Sequence, residues 1–134
     1  MALTPIIKGM ADGAEAIQAN FAAIGITETG SNANGTYVKF SDGTMICHGH
    51  IDLGLLNMQS PWGALFISAW VNITFPATFI SKPSVDANME NDTGDGAMWM
   101  GTASTTSTGT GRFVRATALT FQATAGWTAI GRWK

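Results

Sequence analysis

The sequence predicts a mainly β protein, an antiparallel β-sandwich of six or seven strands preceded by a short N-terminal helix. Three observations carry that reading. From about residue 35 onward apolar and polar residues alternate with period two and β-branched side chains are frequent, as half-buried strands require. Gly, Asn and Asp gather between the alternating runs, where chain reversals need positive φ or local side-chain hydrogen bonds. Before residue 25 the apolar spacing is helical instead.

In the helical part Leu3, Ile7, Met10, Ala14, Ile17, Phe21 and Ile24 follow one another at spacings of 4, 3, 4, 3, 4 and 3, a heptad seam. Thr4 before Pro5 suits an N-cap with proline at the first helical position. Asp12 and Glu15 give a second, box-like cap, and Gly25 is a stop signal, so the helix is placed at about 13–24. Isolated helices this short barely form in water, so the seam must dock. It packs either on its own domain or, as its narrow regular spacing favours, on other copies in a short bundle. Residues 1–30 are read as an attachment and oligomerisation segment and residues 31–134 as a β head.

Within the head, Tyr37–Phe40 and Thr44–Ile51 flank Ser41-Asp42-Gly43, a three-residue hairpin loop with Gly43 free to take positive φ. Leu65, Ile67, Ala69, Val71, Ile73 and Phe75 alternate along one face of a long strand. Pro76 and Pro83 bracket a loop, after which Val85, Ala87 and Met89 alternate. Asn91–Gly96 reads as a turn leading to a strand at Ala97–Gly101. Residues 101–111 are low-complexity, a flexible loop or a Thr-rich edge. Phe113, Arg115, Thr117, Leu119 and Phe121 alternate again, and Trp127–Trp133 closes the chain.

Composition narrows the function. The 134 residues carry 12% charged side chains and a net charge of -2, against roughly 25% charge in an average domain. Neutralising phosphates needs clustered Lys and Arg, so a nucleic-acid partner is excluded. A single cysteine, Cys47, leaves no intrachain disulfide and no Cys-based zinc site. The first ten residues do not read as a signal peptide, and the longest apolar run, Ala64 to Val71, falls far short of the ~20 residues of a membrane helix. So little charge means either a surface rich in Thr, Ser and Asn or extensive burial against other copies.

Candidate chemistry is sparse. If Met89 pairs with Met98 on the core side, Asn88 lies opposite Trp99 on the outer side, Glu90 opposite Ala97 and Asp86 opposite Gly101. That register sets an outward Trp99 beside Asn88 and Asp86. Such a constellation is either a sugar platform, with the indole stacking on a ring and the polar side chains taking hydroxyls, or a contact with a neighbouring copy. Trp62, Arg112 and His48 are further candidates from loops or seams. His48 and His50 share a strand face about 6.6 Å apart. They could serve a metal only by meeting copies of themselves around an axis, and the sequence is read as having no metal and no cofactor. Asp92 and Asp95 fail the calcium-loop pattern, because Thr102 stands where a glutamate is needed. Asp86 and Glu90, roughly 13 Å apart along a strand, exceed the ~5–9.5 Å of paired glycosidase carboxylates. No Gly-x-Ser-x-Gly elbow occurs and Cys47 reads as a core thiol, so the chain is read as non-catalytic.

Several stretches resemble known proteins. Lys8-Gly9-Met10-Ala11-Asp12-Gly13-Ala14-Glu15-Ala16-Ile17-Gln18-Ala19-Asn20 resembles the virion-attachment helix of receptor-binding and baseplate proteins of phages infecting Gram-positive bacteria. Asn34 to Cys47 is similar to a recurring hairpin of phage tail-fibre tips. Ile73-Thr74-Phe75-Pro76-Ala77-Thr78-Phe79, with Lys82-Pro83-Ser84-Val85, resembles H-type lectin domains, and Trp127 to Lys134 resembles the ending of many tail proteins. The resemblance implies a homotrimer on the virion tail, assembled in the bacterial cytoplasm, with helices joined to other tail or baseplate proteins. It also implies lectin-like heads turned toward host cell-wall saccharide. Two alternatives share the fold: a structural baseplate, tail-tip or collar protein with no saccharide role, and a tail-associated polysaccharide-degrading enzyme.

Overall fold

The computed structural model describes residues 25–90 and 96–134, which are mainly β. The heptad seam and the Asn91–Asp95 part of the expected turn lie outside the described residues. Among the described residues there are ten strands: β1 (Ile26–Asn32), β2 (Gly35–Phe40), β3 (Thr44–Met58), β4 (Ser60–Trp62), β5 (Leu65–Ile67), β6 (Val71–Thr74), β7 (Ser84–Glu90), β8 (Met98–Ala103), β9 (Thr108–Arg115) and β10 (Leu119–Arg132). All the pairings are antiparallel. One sheet has the order β1-β2-β3-β10-β7; the second runs β4-β5-β9-β6, with β8 also on β9.

The β2–β3 hairpin forms where the sequence places it. Gly43 takes φ 97°, its amide bonds to the Phe40 carbonyl at 3.1 Å, and the Thr44 amide donates to Asp42 Oδ1 at 2.8 Å. β1 starts at Ile26, so the boundary drawn at residue 30 falls inside a strand.

The count exceeds the six or seven strands expected because β1 and β4 are additional and the long strand read from Leu65 to Phe75 is divided into β5 and β6. Two irregularities mark the stretch from 50 to 75. In β3, Ala123 faces Gly54 and Thr124 faces Asp52, which leaves Leu53 as an extra residue, with Gly54 at φ 58°. Such a bulge shifts the side-chain parity by one. Met45 and Cys47 point into the core before it, Leu56 and Met58 after it. The second irregularity replaces the long strand read from Leu65 to Phe75. β8 pairs β9 across its whole length, so β5 and β6 follow one another along the other edge of β9. Between them Ser68 is fully buried. Its amide bonds the Phe113 carbonyl at 2.9 Å, its Oγ accepts from the Phe113 amide at 2.9 Å, and its hydroxyl donates to the Ala69 carbonyl at 2.8 Å. A side chain thus replaces the missing ladder bond, and the chain shifts face there. Val71, Ile73 and Phe75 join the main core, whereas Leu65 and Ile67 do not.

The main core lies between the sheets, around Phe113, Phe79, Met45, Met58, Ile73 and Trp127. Phe75 sits 5.4 Å from Phe79 and 5.8 Å from Trp127, ring centre to ring centre. The Pro76–Pro83 loop closes one edge through Phe79, whose amide bonds the Thr106 carbonyl at 3.0 Å. The low-complexity stretch comprises the end of β8, a turn and the start of β9. Thr105 Oγ1 accepts from the Ser107 and Thr108 amides at 3.1 and 3.0 Å, turning β8 into β9.

Candidate functional site

β10 is the central fact of the first sheet's outer face. It separates β3 from β7, and its register sets rows of side chains across three strands. His48, Thr128 and Asp86 form one row; His50, Gly126 and Asn88 form the next. Neighbours in a row stand about 4.8 Å apart and rows of like-facing residues about 6.6 Å apart. Gly126, in the middle of the second row, leaves a trough with no side chain on its floor. The resulting groove has a volume of about 320 Å³ and is lined by both histidines, Asp86, Asn88, Glu90 and Thr128. One connection spans it, His50 Nδ1 to Glu90 Oε2 at 3.2 Å. The Glu90 carboxylate arches over the floor so closely that a methyl group on Gly126 would lie 2.6 Å from Oε1. Asp86 is steadied by the Ala87 amide, which donates to Oδ1 at 3.0 Å. Beyond the groove the same face continues to Val38 and Ile46, which pair with each other. Among the described residues no three His, Cys, Asp or Glu side chains converge as a metal-ligand set.

This geometry divides the sequence candidates. Asp86, Asn88 and His48 come together in the groove. Trp99 does not join them, because the register expected for β7 and β8 does not form. β7 pairs with β10, and β8 with β9 in the other sheet. Trp99 therefore faces Phe113, with ring centres 5.3 Å apart, and packs against the core, while Met98 and Met100 point outward. Its indole rests on Gly101 and Gly111; a methyl on Gly111 would sit 2.5 Å from the ring. The outward-tryptophan expectation is thus corrected: pairing with a different partner strand reverses which side of β8 meets the core.

Trp62 and Arg112 belong to the outer face of the second sheet. Trp62 pairs with Leu65, and Arg112 with Met100. Arg112 stacks over Trp70, a residue the sequence did not single out, at 5.1 Å from the ring centre. The sequence also missed Gly126 and Thr128. Their period-two positions in β10 were visible, but their neighbours across the sheet depend on pairing between strands far apart in the chain. The sequence singles out His50 only beside His48, as a pair that could serve a metal solely by meeting copies of itself.

Two other ionic features lie away from the groove. Lys39 Nζ stands 2.8 Å from Glu28 Oε2, and this hydrogen bond with its charge holds the Glu28 carboxyl below its usual range. The Thr44 amide does the same for Asp42. Cys47 is buried, and desolvation pushes its thiol up to about 11.

No protein-family model matches the chain, and no curated protein matches it. Solved structures do. A C-terminal portion of the P. aeruginosa R1 pyocin fibre superposes with a TM-score of 0.57 at 18% identity, over 98% of this chain and 35% of that one. An N-truncated R1-type pyocin tail fibre gives 0.57 at 18% identity, over 92% of this chain and 97% of its own. An N-truncated R2-type pyocin tail fibre gives 0.54 at 21% identity, over 98% and 49%. The chain spans about a third of the first fibre's length. Its fold is one found in pyocin tail fibres.

Proposed function

We propose that the chain is the receptor-binding tip of a phage-type tail fibre, recognising a saccharide on the host surface without cleaving it. The observation that carries this reading is the groove over Gly126, where Asp86, Asn88, Thr128, His48 and His50 present hydrogen-bonding groups in two rows. Sugars display hydroxyls at comparable spacings, and a trough floored by glycine admits a ring edge once the flexible Glu90 carboxylate swings aside. A fold shared with pyocin tail fibres supports the setting. The groove is open and mostly polar, so a single site binds weakly. Three copies joined through the N-terminal seam would turn weak sites into useful avidity. In this reading the partners are two further copies, other tail proteins at the seam, and the saccharide, and the protein acts as part of a virion tail. The resemblance further implies a Gram-positive host and an H-type-lectin-like head.

Adsorption tests the proposal. Labelled protein is incubated with Gram-positive and Gram-negative cells and with their purified surface polysaccharides. Binding to one host's saccharide is expected, with a loss of tenfold or more in an Asp86→Ala/Asn88→Ala double variant that keeps its melting temperature. If no wall fraction retains the protein, the chain is a structural virion component. If the double variant adsorbs like wild type, the groove is not the site. Release of oligosaccharide over hours would replace binding with degradation.

A further inference from the structure

The second sheet's outer face carries an arrangement that the groove does not use. Arg112 leaves β9 on that face, and its guanidinium carbon stands 5.1 Å from the centre of the Trp70 ring, within cation–π range. Its Nε donates to the Ser68 carbonyl at 2.7 Å. Ser68 is itself locked into β9 by its bonds to Phe113. The guanidinium is therefore positioned before any ligand arrives, which lowers the ordering cost of binding. None of the described carboxylates pairs with it, and the strands of the second sheet contain no Asp or Glu. Beside it the surface is open and apolar: Trp70 is 64% exposed, and Met100, which pairs with Arg112 from β8, is 40% exposed.

A lone, oriented guanidinium beside an open indole suits one ligand chemistry in particular. The planar fork takes a carboxylate or phosphate through paired N–H donors, which an ammonium could not do in the same geometry. The indole offers a flat apolar surface to the C–H face of a pyranose. An anion alone would use only the first feature, and a neutral sugar only the second.

We propose that Trp70 and Arg112 form a second saccharide subsite selective for an anionic sugar unit, a uronate or a sugar phosphate. It takes its setting from the receptor-binding reading but stands on different residues from the groove, so either site can fail alone. The two surfaces select opposite chemistry. Asp86 and Glu90 line the groove and repel an anion, whereas the second sheet's outer face offers one Arg112, which none of the described carboxylates pairs.

The test follows the Trp70 indole N–H by NMR in the full chain, titrated with galacturonic acid, glucose 6-phosphate, galactose and inorganic phosphate. The two anionic sugars are expected to shift the signal at millimolar concentration, with galactose at least fivefold weaker and the difference shrinking at high salt. Arg112→Gln should bring galacturonic acid down to the level of galactose. Trp70→Ala, read by weak-affinity chromatography on immobilised galacturonate, should abolish retention, while Asp86→Ala should leave it unchanged. Because Trp70 is exposed, that variant keeps its fold even if loss of the Ser68 bond disturbs Arg112→Gln. Response to only one of the two anionic sugars supports the subsite and names its anion. Equal response to galactose and galacturonic acid overturns it, as does inorganic phosphate reproducing the full response. So does a silent indole combined with a lower sedimentation mass for Trp70→Ala, which would mean that a second copy covers this face.

Discussion

Replacing Trp99 with alanine distinguishes the core position seen in the structure from a surface position. Trp99 packs on Phe113 and closes the core above Gly101 and Gly111. Truncating a buried tryptophan to alanine costs roughly 3–5 kcal/mol. Two features reduce the figure here: the ring is only partly buried, and its Nε1 is buried without an acceptor among the described residues. Removing an unsatisfied donor returns about 1 kcal/mol. The expected net loss is about 2–4 kcal/mol, which at ~4 °C per kcal/mol for a domain of this size lowers Tm by about 8–16 °C. Trp99→Phe keeps a ring over both glycines and discards the orphan N–H, so it should stay within about 1 kcal/mol of wild type. The assay is thermal denaturation followed by circular dichroism at one fixed protein concentration, since association would make Tm concentration-dependent. An alanine variant melting within 2 °C of wild type would refute the packing argument. So would a phenylalanine variant as damaged as the alanine one.

Three further outcomes follow from the same geometry. Gly126→Ala should separate recognition from stability. The methyl displaces only the flexible end of Glu90, and the gain of about 0.4–1 kcal/mol from a stiffer unfolded chain offsets an exposed His50–Glu90 contact worth little, so Tm should change by no more than a few degrees. Adsorption to the host saccharide should fall tenfold or more, because the floor of the groove is filled; unchanged adsorption would detach the groove from recognition. Cys47 should resist a disulfide reagent at pH 8 in the native protein and react within minutes in guanidinium, since burial holds its thiol up at about 11. Glu28 and Asp42 have carboxyls held below their ordinary values, so their contribution is full above the unfolded-state range and is lost as pH falls through the folded one. Tm should decline shallowly between about pH 5 and pH 2, and Asp42→Asn should flatten part of that decline.

Local chemistry made the strands legible but not their partners. Ser41-Asp42-Gly43 between two alternating runs contains all that its hairpin needs, and β2 and β3 form as expected. Nothing within Ser84–Glu90 says whether it pairs with β8, which follows it, or with β10, some thirty residues later. Both candidates alternate, and the choice turns Trp99 from surface to core. Leu53 and Ser68 show the same limit inside single runs. A bulge and a side-chain plug each shift the inward parity, and neither disturbs the sequence pattern enough to be seen. Asp86, Asn88 and His48 were legible as outward-facing polar residues. Their convergence was not, because Gly126 and Thr128 come between them from the far end of the chain.

The scarcity of charge acquires a physical meaning once the sheets are separated. The strands of the first sheet carry Glu28, Asp52, Asp86 and Glu90 with Lys39 and Arg132, whereas those of the second carry only Arg112 and Arg115. With so few ions, a charge on either outer face has few neighbours to neutralise it. On the first sheet the carboxylates Asp86 and Glu90 line a groove containing no Lys or Arg. On the second, Arg112 meets an indole and a carbonyl in place of a counter-ion. A protein dense in surface charge would pair and screen such groups, and each would then be worth little. Sparse charge among Thr, Ser, Asn and Gly leaves them available, so this composition suits the proposed recognition of a ligand one polar group at a time. Adding two lysines to the outer face of β7, as Asn88→Lys and Ser84→Lys, would supply the missing counter-charges. Adsorption should then collapse with little change in Tm, and retention of full adsorption would show that charge sparsity plays no part.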